Sequence, residues 1–104
     1  MRMCVINVKV ATEDMAVKDN WVNGETVSAD LFQKDFNCGL KYLYLQYKDM
    51  CDKGNLMVRL YCGQVLFYEA TLNSDGIVEE NRYLIIGQKF SNSIKYHSVA
   101  GSVV

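Results

Sequence analysis

The residues of this chain with the widest chemical repertoire are four cysteines, Cys4, Cys38, Cys51 and Cys62, and a single histidine, His97. A thiolate with an imidazole as its base makes a nucleophile, and thiolates with an imidazole make a tetrahedral zinc site. Cys38, Cys51, Cys62 and His97 form a chemically legal zinc set. Structural zinc sites, however, bring their ligands in close pairs such as C-x2-C, and these are widely separated. Cys62 falls at a turn by position, and with Cys51 and His97 it supports an alternative reading as a small Cys/His-dependent enzyme or zinc-binding domain. No local signature surrounds any of the cysteines, and buried free cysteine is among the commonest core residues.

The acids offer no better constellation. Glu79 and Glu80 are adjacent, which on a strand sends them to opposite faces, and Glu69 has no second carboxylate that the pattern identifies. The glycines are isolated, with neither GxGxxG nor Walker-type spacing. No catalytic residue, metal ligand or cofactor is assigned on these grounds, and the chain reads as non-enzymatic.

The elements that position these residues are easier to read. From Ser28 to Gly54, Ala29, Phe32, Phe36, Leu40, Leu43, Tyr47 and Met50 recur at steps of three and four, one face of a helix. Ser28 suits the N-cap and Asp30 the first turn, while Lys53 and then Gly54 suit the other end. The spacing therefore predicts one continuous helix over 28–54. Residues 3–10 alternate as a first strand, with Cys4, Ile6, Val8 and Val10 to one side. The connector 11–27 holds Asn20, Asn23 and Gly24 as turn formers and a short helix begun by Thr12.

After the helix, Leu56–Tyr61 and Gln64–Leu72 form a hairpin turning at Cys62-Gly63. With that loop, Leu60 faces Val65 and Val58 faces Phe67, leaving Met57, Arg59, Tyr61, Leu66 and Tyr68 on the other side. Residues 77–88 read either as helix or as strand, and strand is preferred from about Arg82 to Phe90. A last strand follows from Ile94 to Ala100. The expected fold is a single α+β domain over 1–104, an antiparallel sheet of about five strands with one long helix on one face, in the order β-α-β-β-β-β. A helix at 77–88 would give the ferredoxin-like order βαββαβ instead.

Three surfaces are left over. The first is a second apolar stripe on the helix, Leu31, Cys38, Tyr42 and Leu45, which a helix on one sheet does not need. Either the connector folds over it with Trp21 and Val22, or a partner or second copy does. Gly39 within the helix suggests the close approach of another backbone. The second surface is the Arg59, Tyr61 and Tyr68 side of the hairpin, rich in residue types that dominate binding hot spots, with Trp21 as a further anchor. The third is acidic: between residues 13 and 35 stand Glu13, Asp14, Asp19, Glu25, Asp30 and Asp35 against only Lys18 and Lys34.

Half the residues are hydrophobic and 22% are charged, which excludes disorder as the default. No apolar run approaches the ~20 residues a membrane helix requires. The apolar start is broken by Lys9, so a cytoplasmic location with reduced thiols is expected. A net charge of −1 weighs against a grip on nucleic-acid phosphate, although Lys41, Tyr42, Tyr44, Tyr47 and Lys48 interleave basic and aromatic residues and keep single-strand binding as a third reading. The preferred reading is a protein–protein interaction module, as a homodimer or on a protein partner. Its size fits an inhibitor or adaptor of the kind a phage or mobile element directs at a host protein.

Overall fold

The computed structural model describes residues 5–33, 35–52 and 54–83. The strand expected at 94–100, most of that expected at 82–90, and the side chains of Cys4 and His97 lie outside the described residues. Five antiparallel strands, β1 (Val5–Thr12), β2 (Val22–Ser28), β3 (Leu56–Cys62), β4 (Val65–Asn73) and β5 (Gly76–Arg82), form one sheet in the order β2-β1-β3-β4-β5. Helices α1 (Glu13–Val17), α2 (Asp30–Gln33) and α3 (Phe36–Tyr47), with a 3-10 turn at Lys48–Cys51, are the other elements among the described residues. The α+β class and antiparallel sheet match the expectation from sequence. The element order matches only in part, because the connector contributes β2 as an edge strand.

Alternation places Ile6, Val8 and Val10 of β1 and Leu56, Val58 and Leu60 of β3 on one face, all buried beneath Phe32, Phe36, Leu40 and Leu43 of the helical layer. Thr12 ends β1 and caps α1, its hydroxyl accepting from the Met15 N–H at 3.1 Å, as its type and position foretold.

The long helix is corrected. It breaks between α2 and α3, where Asp35 is extended (φ −152°) and its carboxylate accepts from the Asn37 N–H at 3.0 Å. An N-cap of this kind starts a helix and cannot lie inside one. The far end stops early as well: α3 gives way to the 3-10 turn after Tyr47, and the positive φ near the end of that turn falls on Asp52 (φ 55°). The break lets Phe32 tuck under α3 at Gly39, so the close neighbour of that glycine is an aromatic ring rather than a backbone.

The hairpin is corrected too. Its loop is Gly63-Gln64, with Gly63 at φ 64°, and Cys62 pairs with Val65. A bulge at Phe67 then inserts one residue, so Leu60 pairs with Tyr68 and Arg59 with Glu69. One extra residue exchanges the faces of everything after it. Tyr68, Ala70 and Leu72 thus join the core, and Tyr68 is completely buried instead of sharing the outer face with Arg59. Residues 76–82 pair with β4 as a strand, which removes the helical alternative there and the ferredoxin-like order with it.

A second bulge, in β2 opposite Val8, is held from above. Two residues, Gly24 and Glu25, fill the gap where β1 has one. The Glu25 N–H, left out of the ladder, donates to the Tyr47 hydroxyl at 2.6 Å. A hydrogen bond of this kind contributes about 1 kcal/mol, and it anchors the end of α3 to the sheet edge.

Candidate functional site

The face of the sheet turned away from α2 and α3 is built by the same alternation that makes the core. β3 sends Met57, Arg59 and Tyr61 there, β1 sends Lys9, and the bulge in β4 delivers Glu69 and Thr71 opposite Arg59 and Met57. β5 adds Glu79 and Asn81 in register with Thr71 and Glu69. Trp21, just before β2, lies on this face, where the Arg59 guanidinium stands over its ring at 4.3 Å.

Arg59 is fixed from the other side by Glu69, Nε to Oε1 at 3.3 Å. The second oxygen of Glu69 accepts from the Asn81 side-chain amide at 3.1 Å and the Tyr83 hydroxyl at 3.0 Å. Burial, then the hydrogen bond to Glu69, pushes the Tyr83 hydroxyl above the ordinary tyrosine range, so it remains a donor. Lys9 sits over the Tyr61 ring at 5.3 Å. The result is an ordered row of aromatic and guanidinium groups tied down by one carboxylate. Beside it runs a groove of about 500 Å³ between α1 and β5, with Trp21, Met57 and Arg59 in its lining. The Trp21 indole N–H is buried and has no hydrogen-bond partner among the described residues.

Trp21, Arg59 and Tyr61 therefore come together, and the other candidate residues do not join them. Tyr68 is in the core. Leu31 packs against that core at its edge. Tyr42 stands beside Glu25, whose hydrogen bond holds the Tyr42 hydroxyl above its ordinary range. Trp21 and Val22 do not cover the second helix stripe, because the connector runs as β2 along the sheet edge. Leu45 is 53% exposed and, with Leu40, Tyr44, Leu72 and Ile77, lines a separate groove of about 540 Å³ between α3 and the β4–β5 turn. Asp14 forms an exposed ion pair with Lys18 at 3.4 Å, and Asp19 takes a left-handed conformation (φ 56°) after α1. Pairs as exposed as Asp14 and Lys18 contribute little to stability.

The thiols are dispersed. Cys51 is buried, which raises its pKa, with the charge of Glu13 adding to the effect. Cys38 is exposed, and its hydrogen bond to Asp35 at 3.4 Å, with the charge of that carboxylate, also favours the neutral thiol. Among the described residues no group of three or more histidine, cysteine or acidic side chains converges to hold a metal ion. No helix among them is long and apolar enough to cross a membrane.

Glu69 is the residue that sequence reasoning passed over. The alternation Tyr68, Ala70, Leu72 was the available signal: three apolar residues two apart require Glu69 and Thr71 on the opposite face, where Arg59 also lies. Comparison of the chain with family models, with curated proteins and with solved structures returned no match.

Proposed function

We propose that this chain is a non-enzymatic protein-interaction module of the inhibitor or adaptor kind, engaging its partner through the sheet face centred on Trp21 and Arg59. The observation that carries this reading is the indole of Trp21 stacked under a guanidinium that Glu69 already holds at 3.3 Å. Tryptophan and arginine are the types most enriched among residues whose truncation costs binding energy. Ordering them before association lowers the entropy a complex must overcome. The lone tryptophan of the chain also reports on the face directly, since its emission responds to whatever covers it.

The test uses the intact chain and the partner it retains from its native source. Trp21→Ala is expected to weaken that complex about 30-fold and Arg59→Ala about tenfold, the size of hot-spot truncations. Circular dichroism on each variant checks that the fold persists. Wild-type affinity in both variants would overturn the proposal.

Exposed Leu45 and Ile77 on the α3 groove favour a second reading, a homodimer joined there, which leaves the Trp21 face open. Light scattering over a concentration series is expected to show a dimer that Leu45→Lys dissociates. A strict monomer at high concentration removes this reading.

A further inference from the structure

We infer that the segment of the partner seated in the groove between α1 and β5 is a basic peptide, its lysine or arginine stems lying on Trp21, Val17 and Met57. The inference rests on the interaction reading above and names the chemistry of the ligand. Among the described residues three carboxylates line the groove on this face, Glu13, Glu69 and Glu79, against the single cation Arg59. Their charges are not equally spent. Glu69 is matched by Arg59 and further hydrogen-bonded by Asn81 and Tyr83. Glu80, paired with the core residue Ala70, turns to the other face, where it is matched by Arg82 at 3.3 Å and accepts from the Tyr68 hydroxyl.

Glu13 and Glu79 are different. Glu13 accepts only from the neutral Asn55 amide at 3.0 Å, and neither carboxylate has a cationic partner among the described residues. A ligand lying along the groove meets two unneutralised carboxylates, which favours a cation and repels a phosphate backbone or an acidic segment.

The groove is not merely acidic. Val17 is 86% exposed at its wall, and Trp21 and Met57 add apolar surface suited to the aliphatic stems of lysine and arginine. That apolar wall suits a peptide carrying apolar side chains between its basic ones, which a simple polyamine lacks. Together these features select a peptide over a small cation.

The test titrates the full chain with a short synthetic peptide alternating lysine and arginine with leucine, read by Trp21 emission. Controls are the same peptide with glutamate in the basic positions, and spermine. Saturable binding of the basic peptide alone is expected, weakening as salt is raised. Glu13→Gln and Glu79→Gln are each expected to weaken it about fivefold, while Asp49→Asn on the 3-10 turn leaves it unchanged. Equal binding of the acidic peptide, equal binding of spermine, or no loss in the Glu13→Gln/Glu79→Gln double variant would overturn the inference. The native partner separates the two levels. If it is lost with Trp21→Ala but indifferent to both glutamate changes, the basic-segment inference fails and the interaction reading survives. If it is indifferent to both Trp21→Ala and Arg59→Ala, both fail.

Discussion

Gly39→Ala is expected to destabilise the protein by about 2 kcal/mol, although alanine is the better helix former by about 1 kcal/mol. A Cβ built at Gly39 lies 2.3 Å from Cδ1 and 2.5 Å from Cε1 of Phe32, far inside contact distance. The ring cannot swing away cheaply, because Phe32 is fully buried and packs against Phe36 with ring centroids 5.2 Å apart. Forcing a methyl group into a packed core costs up to about 3 kcal/mol, and the propensity gain offsets a third of that. Urea denaturation measures the loss. In a Phe32→Leu background the penalty should shrink, because the narrower side chain vacates part of the space, and the double-mutant cycle should show coupling of about 1 kcal/mol. A Gly39→Ala variant more stable than wild type would mean that α2 does not lie against α3 as described.

That same contact explains why the sequence spacing predicts a continuous helix. Ala29, Phe32, Phe36 and Leu40 keep helical spacing across the break at Asp35, because α2 and α3 both turn their apolar residues inward. Periodicity records which side faces the core, and it is silent about a cap that interrupts the coil between two inward-facing turns. Strands β1 and β3 were legible for the complementary reason: each has a face buried under helices and alternates accordingly. β2 was not legible, since an edge strand reading VNGETVS buries too little on either face to imprint a period. At the candidate site, Arg59 and Tyr61 could be placed from alternation alone. Trp21 could not, because its position over Arg59 depends on a connector whose path is set by pairing with β1. Alternation misplaces Tyr68 because a bulge is a one-residue event with a whole-strand consequence, and Phe67-Tyr68 carries no local mark of which aromatic residue is the inserted one.

Tyr68→Ala carries the largest expected loss, about 4 kcal/mol, the range for deleting a buried aromatic ring. The ring meets Phe36 edge-on with centroids 4.7 Å apart, and its hydroxyl donates to Glu80 at 2.7 Å, the same oxygen that pairs with Arg82. Arg82 in turn lies over Phe36 at 5.2 Å, so one polar cluster seals the open edge of the core. Tyr68→Phe keeps the ring and should cost about 1.5 kcal/mol at neutral pH, the worth of a hydrogen bond to a charged acceptor. Its more telling signature is alkaline. Burial first, then the hydrogen bond to Glu80 and the Glu80 charge, hold the Tyr68 hydroxyl far above its ordinary range, with Arg82 opposing. In the unfolded chain the hydroxyl ionises near pH 10, about the usual value. With the folded pKa the higher of the two, the stability this group contributes is complete below that pH. It is lost as pH rises toward the folded value, because the unfolded chain releases its proton first. Wild-type stability should therefore fall above about pH 10, and Tyr68→Phe should fall less steeply. Tyr42 and Tyr83 are raised in the same direction, so the slope should diminish without vanishing. Urea midpoints measured at several alkaline pH values decide the matter. An unchanged slope in Tyr68→Phe would mean that the hydroxyl is solvated in the folded protein, and the register set by the Phe67 bulge would have to be wrong.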